Sequence, residues 1–212
     1  MKAVRSHRAA HAAIAAILVC AVGDAAARDR GAVAAKIEYC KTCHGIAAQG
    51  YLGYYAMPRL AGQQEAYLEN QLRAFTERRR TNPVMFNVAH ALSPSMLAAL
   101  AGHFRHLNPP PFGGGPRNLV ARGKTIYEEG IPDSNVPACS ACHGPDGKGR
   151  DEIPRLAGQL YPYTVKALRN WGRERGQGGS ASPDVSAVMA PTAHNMTPAE
   201  ISAVAAYVGT LR

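Results

Sequence analysis

Apolar side chains recur along this chain at helical spacing. Between residues 64 and 78, Leu68, Leu72 and Phe75 fall at i, i+4 and i+7, one stripe of a helix. Residues 162–174 repeat the stripe with Val165, Leu168 and Trp171. The C-terminal stretch has a clear start: Thr197-Pro198-Ala199-Glu200 has the form of a capping box with proline at the first helical position. Ile201, Val204, Ala205, Val208 and Leu211 then keep helical spacing. Ser93-Pro94 opens a counterpart carrying Leu97, Leu100, Ala101 and Phe104. Shorter segments around residues 32–39 and 118–128 predict two more helices. No β-rich stretch interrupts the pattern, so the expected fold class is all-α.

The pattern occurs twice. Pro58-Arg59-Leu60-Ala61-Gly62-Gln63 returns unchanged as Pro154-Arg155-Leu156-Ala157-Gly158-Gln159, and Tyr67, Leu72 and Arg73 match Tyr163, Leu168 and Arg169. Met85-Phe86-Asn87-Val88-Ala89-His90 aligns with Met189-Ala190-Pro191-Thr192-Ala193-His194, each block leading into a final helix. Such identity predicts one local structure used twice. Residues 109–116 combine a stiff proline run with a flexible glycine run and mark a linker. The expected organisation is therefore a domain over 28–108 and a domain over 117–212, each small enough to need help in forming a core.

Each repeat carries one cysteine motif. Cys40-Lys41-Thr42-Cys43-His44 recurs as Cys139-Ser140-Ala141-Cys142-His143. C-x-x-C-H suits covalent haem attachment, with two thiols to form thioether bonds to the vinyl groups and an adjacent imidazole to ligate the iron. A zinc site would need four ligands, normally two such pairs brought together, whereas each pair here has its own histidine and its own copy of the surrounding sequence. A thioredoxin-like pair would lie near a βαβ pattern, which is absent on either side.

The beginning of the chain bears on the compartment. Residues 1–27 have a basic start (Lys2, Arg5, Arg8), an apolar run too short to span a bilayer, and a small-residue exit at Ala25-Ala26-Ala27. This predicts a cleaved export signal that takes Cys20 with it and leaves four cysteines, all in the two motifs. Lipidation at Cys20 is the rival reading, disfavoured by the bulky Val19 before it. Formal charge falls from +9 for the 212 residues to +7. Residues 28–108 hold ten Lys/Arg against five Asp/Glu, and 109–212 eleven against nine. Nucleic acid is a poor partner for an exported chain. The run Arg78-Arg79-Arg80 predicts either a solvated helix end or a basic patch that steers an acidic redox partner.

Taken together, the motifs resemble class I c-type cytochromes, and specifically the bacterial di-haem cytochrome c4 family, over essentially the whole mature chain. The resemblance implies two tandem class I cytochrome c domains, each wrapped around one covalent haem (heme c, iron). It implies that Cys40, Cys43, Cys139 and Cys142 bind the haems. His44 and His143 would be the proximal iron ligands, with their rings held by the carbonyls of Pro58 and Pro154. Met85 and Met189 would be the distal ligands. The two halves depart from each other in loop length, the second having a longer Gly/Ser-rich loop (residues 176–182) before Met189. Met57, Met96 and Met196 read as apolar gap fillers. His90 and His194 are rival distal ligands or surface and propionate-contacting residues. His103 and His106 read as exposed helix residues. Arg59, Arg73, Arg155 and Arg169 read equally as propionate contacts or as solvated charges.

The same resemblance implies a periplasmic electron-transfer protein that is not an enzyme. It would carry single electrons from a respiratory donor, a cytochrome bc complex or a dehydrogenase, to a terminal oxidase or reductase. No integral membrane segment is expected in the mature chain. A cytochrome subunit of a periplasmic dehydrogenase is the alternative. A di-haem peroxidase is a further one, against which two matched methionines argue, because a peroxidase needs an open iron position. Periplasmically matured, denatured protein should exceed the mass of its polypeptide by two haems. A gain of one haem or none by mass spectrometry would overturn the assignment.

Overall fold

Asn82, Ser93 and Thr197 each precede a proline, and each opens a helix by accepting a backbone N–H: from Met85 at 3.0 Å, Met96 at 3.3 Å and Glu200 at 3.3 Å. Glu200 closes the box at Thr197 by accepting from its backbone N–H at 2.9 Å. The computed structural model describes residues 29–175 and 185–212. The expected export signal at 1–27 and the Gly/Ser-rich loop at 176–182 lie outside the described residues.

Residues up to Tyr39 make one unit and Cys40–Arg212 a second. Helix α1 covers residues 29–44. The first repeat continues with a hairpin of β1 (Tyr51–Leu52) and β2 (Ala56–Met57), then α2 (Glu65–Thr76), α3 (Pro83–His90) and α4 (Pro94–Arg105). The second repeat comprises α5 (Val120–Glu129), α6 (Ser140–His143), α7 (Tyr161–Arg169), α8 (Trp171–Glu174), α9 (Met189–Asn195) and α10 (Pro198–Val208). Among the described residues the architecture is all-α apart from the hairpin, whose two-residue strands are too short to leave a period in the sequence. The stripe expected as one helix over 162–174 is two, α7 and α8, because the chain turns through Asn170 two residues before Gly172, both weak helix formers. Among the described residues no single helix is long and apolar enough to cross a membrane.

The core of the second repeat forms where α10 crosses α5 and packs on α7. Ile126 and Tyr127 from α5 meet Ile201, Val204, Tyr207 and Val208 from α10, with Met196 filling in beside them. The helices approach so closely that a Cβ on Gly123 would sit 2.0 Å from the Ala203 carbonyl oxygen, so only glycine fits at the crossing. In the first repeat Leu68 and Phe75 of α2 are buried, as are Leu97, Leu100 and Phe104 of α4.

A reciprocal hydrogen-bond seam joins the repeats. Gln159 accepts from the Arg59 backbone N–H at 2.8 Å and donates to the Arg59 carbonyl at 3.2 Å. Gln63 does the same to Arg155, at 2.6 and 3.0 Å. Each glutamine thus satisfies a buried backbone donor and acceptor of the opposite repeat, the role a β-ladder would otherwise fill. A second tie lies at the ends of α2 and α8, where Thr81 N–H donates to the Glu174 carbonyl at 2.8 Å and Arg80 Nη2 to the Tyr163 hydroxyl at 2.8 Å. The proline-glycine segment 109–116 is docked: Pro109 O accepts from Arg59 at 2.9 Å, and a Cβ on Gly114 or Gly115 would strike Ala206 O or the Tyr161 ring at 2.4 and 2.3 Å.

Gln159→Leu would leave the Arg59 N–H and carbonyl buried without partners, at a cost of about 1–3 kcal/mol per unsatisfied group. Denaturant unfolding of the haem-loaded variant should show that loss. An unchanged midpoint would show that water replaces the amide.

Candidate functional site

Each cysteine motif sits on a helical turn that ends at its histidine. The two cysteines of a motif are three residues apart and share a helix face, and the histidine follows on the next residue. Glycines with positive φ, Gly45 (88°) and Gly144 (80°), then turn the chain away. Cys40 and Cys139 are half-buried, Cys43 and Cys142 exposed. Burial pushes the Cys139 thiol up to about 11, so it is held as the neutral thiol.

The imidazoles are fixed identically. His44 Nδ1 donates to the Pro58 carbonyl at 2.8 Å, and His143 Nδ1 to the Pro154 carbonyl at 2.8 Å. A carbonyl only accepts, so the proton is on Nδ1 and the Nε2 lone pair is available to a metal. Both rings are buried, and desolvation lowers both histidines below the ordinary value. Against this, the proline carbonyl acts to raise each one, and at His44 the Arg80 charge lowers it further. The loops that deliver the prolines differ in length, fourteen residues from His44 to Pro58 and eleven from His143 to Pro154, yet close by the same bonds. Gly50 N–H donates to His44 O at 2.8 Å and Gly149 N–H to His143 O at 2.9 Å. Ala48 O accepts from Leu60 and Ala61, as Gly147 O accepts from Leu156 and Ala157. Extra residues in the first loop form the β1–β2 hairpin, whose Tyr51, Leu52, Tyr54 and Tyr55 are exposed.

Met85 and Met189 occupy the first turns of α3 and α9 and are half-buried. His90 and His194, at the other ends of those helices, are exposed, and His90 stacks on Phe86 with ring centroids 5.7 Å apart. Met196 is in the core and Met57 and Met96 are half-buried. His103, expected as an exposed helix residue, is half-buried instead, its ring edge-on to Phe104. In the second repeat a cavity of about 600 Å³ lies among α7, α8 and α9, lined by Leu168, Trp171, Ala193 and His194 with Arg169 and Arg173.

The four candidate arginines separate into two kinds. Arg73 is exposed and paired with Glu69 at 3.0 Å one helical turn away, and Arg169 is exposed. Arg59 and Arg155 are buried. The run Arg78-Arg79-Arg80 is not the basic patch that its charges suggested. Arg78 alone is exposed, 4.8 Å above the Phe86 ring. Arg79 is buried against Glu77 and Asn70 at 2.6 and 3.0 Å, and Arg80 reaches Gln71 and Tyr163, both at 2.8 Å. Polar acceptors on α2 and on the second repeat draw two of the three charges inward.

Sequence patterning did not single out four residues that support these sites. Gln63 and Gln159 stood in the repeated hexapeptide without a role. Tyr127, fully buried, donates its hydroxyl to Gly144 O at 2.6 Å and pins the turn after the second motif. Asn82 places Met85.

The residues fit a haem held by each repeat: paired thiols, an adjacent neutral imidazole with Nε2 available, and a thioether on a separate helix. Comparison with known proteins agrees. Residues 120–212 match the Cytochrome c family. Cytochrome c-552 of Acidithiobacillus ferridurans is 36% identical over 81% of this chain and 73% of its own. The thiosulfate dehydrogenase electron acceptor of Thiomonas intermedia is 36% identical over 80% of this chain and 76% of its own. The solved structure of Acidithiobacillus ferrooxidans cytochrome c4 matches with a TM-score of 0.69 at 35% identity, covering 81% of this chain and 98% of that one.

Asn82→Ala should cost about 1 kcal/mol by removing the cap of α3. Thermal unfolding of the haem-loaded protein checks this. The second repeat offers no equivalent variant, since α9 has no side-chain cap.

Proposed function

The chain belongs to the cytochrome c4 family of di-haem c-type cytochromes, electron carriers that hold haem covalently, and from that premise we propose an assignment for each residue of its two sites. Cys40 and Cys43 carry the first haem, and His44 and Met85 are its iron ligands. Cys139 and Cys142 carry the second, ligated by His143 and Met189. Residues 28–108 and 117–212 are the two haem domains, and 109–116 connects them.

The doubled bond from imidazole to proline carbonyl carries this reading, because it leaves one nitrogen of each buried ring aimed away from the carbonyl as a neutral donor. A haem held in each repeat by the cysteine pair, the imidazole of His44 or His143 and the thioether of Met85 or Met189 would supply reversible one-electron transfer between ferrous and ferric states. The protein's part is to hold each imidazole in one tautomer and one orientation, so that its basicity does not vary. It also supplies soft sulfur and an apolar wall, which favour the ferrous state and a fairly positive potential.

The carrier works in the periplasm, as the export signal expected at residues 1–27 suggests. Its donor is a dehydrogenase of reduced sulfur compounds or a cytochrome bc complex, and its acceptor a terminal oxidase or reductase. The similarity to a thiosulfate dehydrogenase electron acceptor favours the dehydrogenase as donor.

Met85→His and Met189→His should each lower the potential of one haem and leave the other nearly unchanged, because imidazole donates more strongly than thioether to ferric iron. Redox titration with optical spectra reads each haem. Spectra unaltered in both variants would move the ligand role to His90 and His194.

A further inference from the structure

The hairpin between the first histidine and its clamp proline is an exposed face that the haem-binding residues do not use. Tyr51, Leu52, Tyr54 and Tyr55 lie largely in solvent, Tyr54 with 94% of its surface exposed, and Ile46 at the start of the same loop is exposed as well. The rings are gathered together. Tyr54 and Tyr55 meet edge-on with centroids 4.8 Å apart, and the Tyr51 ring covers Gly53 so closely that a Cβ there would stand 2.4 Å from it. Exposed apolar surface of this kind marks a place where another molecule binds. Tyrosine suits such a place, because one rigid side chain offers both an apolar face and a hydroxyl.

The base of the hairpin is held on both sides. Gly50 N–H donates to His44 O at 2.8 Å, and Leu60 and Ala61 both donate to Ala48 O at 2.9 Å. Gly50 also packs on the second repeat, where a Cβ would stand 2.8 Å from the Leu160 side chain. Strand β2 ends at Met57, directly before the proline whose carbonyl holds His44. The patch is therefore presented ready-formed, its base one residue from the first imidazole clamp. Such a patch loses little conformational freedom when a partner covers it.

Charge narrows the occupant. Residues 45–57 contain no Lys, Arg, His, Asp or Glu, although the chain is strongly basic, at +9 over its 212 residues. Arg79 and Arg80, whose charges would have steered an acidic partner, are drawn inward. An anionic lipid surface attracts clustered Lys and Arg, and the hairpin has none. A second copy of the chain would bring two net-positive molecules face to face with no charge pair on the hairpin to offset the repulsion. What fits is an uncharged apolar face on a different protein.

We propose that the tyrosine hairpin is the docking surface for this carrier's electron donor, a dehydrogenase of reduced sulfur compounds that presents an uncharged apolar face, and that burial rather than electrostatic steering governs the encounter. This rests on the donor favoured in the proposed function. The two repeats then differ in use as they do in surface, since the counterpart loop carries Asp146, Lys148, Arg150, Asp151 and Glu152.

Three double variants of the full, haem-loaded chain test this: Tyr54→Ser with Tyr55→Ser, Tyr54→Phe with Tyr55→Phe, and Asp151→Asn with Glu152→Gln in the counterpart loop. The probe is a purified thiosulfate dehydrogenase. Surface plasmon resonance reads its binding, and stopped-flow absorbance reads haem reduction with thiosulfate as the electron source, both at low and high salt. Reduction by ascorbate reads the haems without a partner. The Ser pair should weaken binding and slow reduction by about tenfold or more, the effect of truncating central interface aromatics. The Phe pair and the counterpart-loop pair should stay near the unaltered protein, salt should change its binding little, and ascorbate should reduce all four proteins alike. Binding unmoved by the Ser pair, an equal loss from the counterpart-loop pair, or a steep fall with salt would overturn the proposal. Sedimentation showing a dimer that the Ser pair dissociates would assign the face to a second copy and overturn it equally. If ascorbate reduces the unaltered protein and the dehydrogenase does not, the donor assignment itself fails and the proposal falls with it.

Discussion

The commitment of one imidazole nitrogen to a proline carbonyl is the constraint on which each repeat depends. A buried histidine that accepted a proton would be a buried cation, and desolvation holds both His44 and His143 neutral. With Nδ1 donating at 2.8 Å in both repeats, the ring can neither flip nor change tautomer without breaking a buried hydrogen bond. The surrounding turns serve that bond. Gly50 and Gly149 close on the histidine carbonyls, and the Leu60-Ala61 and Leu156-Ala157 amides share one acceptor in each repeat. Loops of different length converge on one geometry, closed in both repeats by the same bond from imidazole to proline carbonyl.

The repeats are also one object. Gln63 and Gln159 each complete the backbone hydrogen bonding of the other repeat at the residue directly after its clamp proline. The seam therefore runs through the segments that orient the two imidazoles. Removing its amides would disturb the clamps as well as the packing, which is a physical reason for a glutamine to close both copies of the hexapeptide. Charge follows the same logic: Arg59, Arg155, Arg79 and Arg175 are all buried, and the net positive charge of the chain is in part internal.

The two halves diverge where they are free to. The loop between His44 and Pro58 contains no ionisable acid or base other than tyrosine and presents Tyr51, Tyr54 and Tyr55 to solvent, while its counterpart carries Asp146, Lys148, Arg150, Asp151 and Glu152. The helix carrying Met85 is capped by Asn82, and the one carrying Met189 has no side-chain cap. One fold thus offers an apolar tyrosine face on one repeat and a charged face on the other.

From the sequence alone, local rules were enough for the helices and the motifs. The capping box at Thr197, the Ser93 cap and the 3.6-residue stripes depend on neighbours within one turn, and the C-x-x-C-H pairs and the repeated hexapeptide are legible as strings. Helix breaks decided by weak propensity, such as Asn170, were not, because propensity differences of a few tenths of a kcal/mol yield to packing. Tertiary structure alone decided which of several chemically identical residues are inside. Arg59 and Arg73, or Arg78 and Arg80, read alike as isolated letters, yet one of each pair is exposed while the other is drawn into the seam or against Tyr163. The reason is that a charge's environment is set by residues from the other repeat, about a hundred positions away, and no local pattern records them.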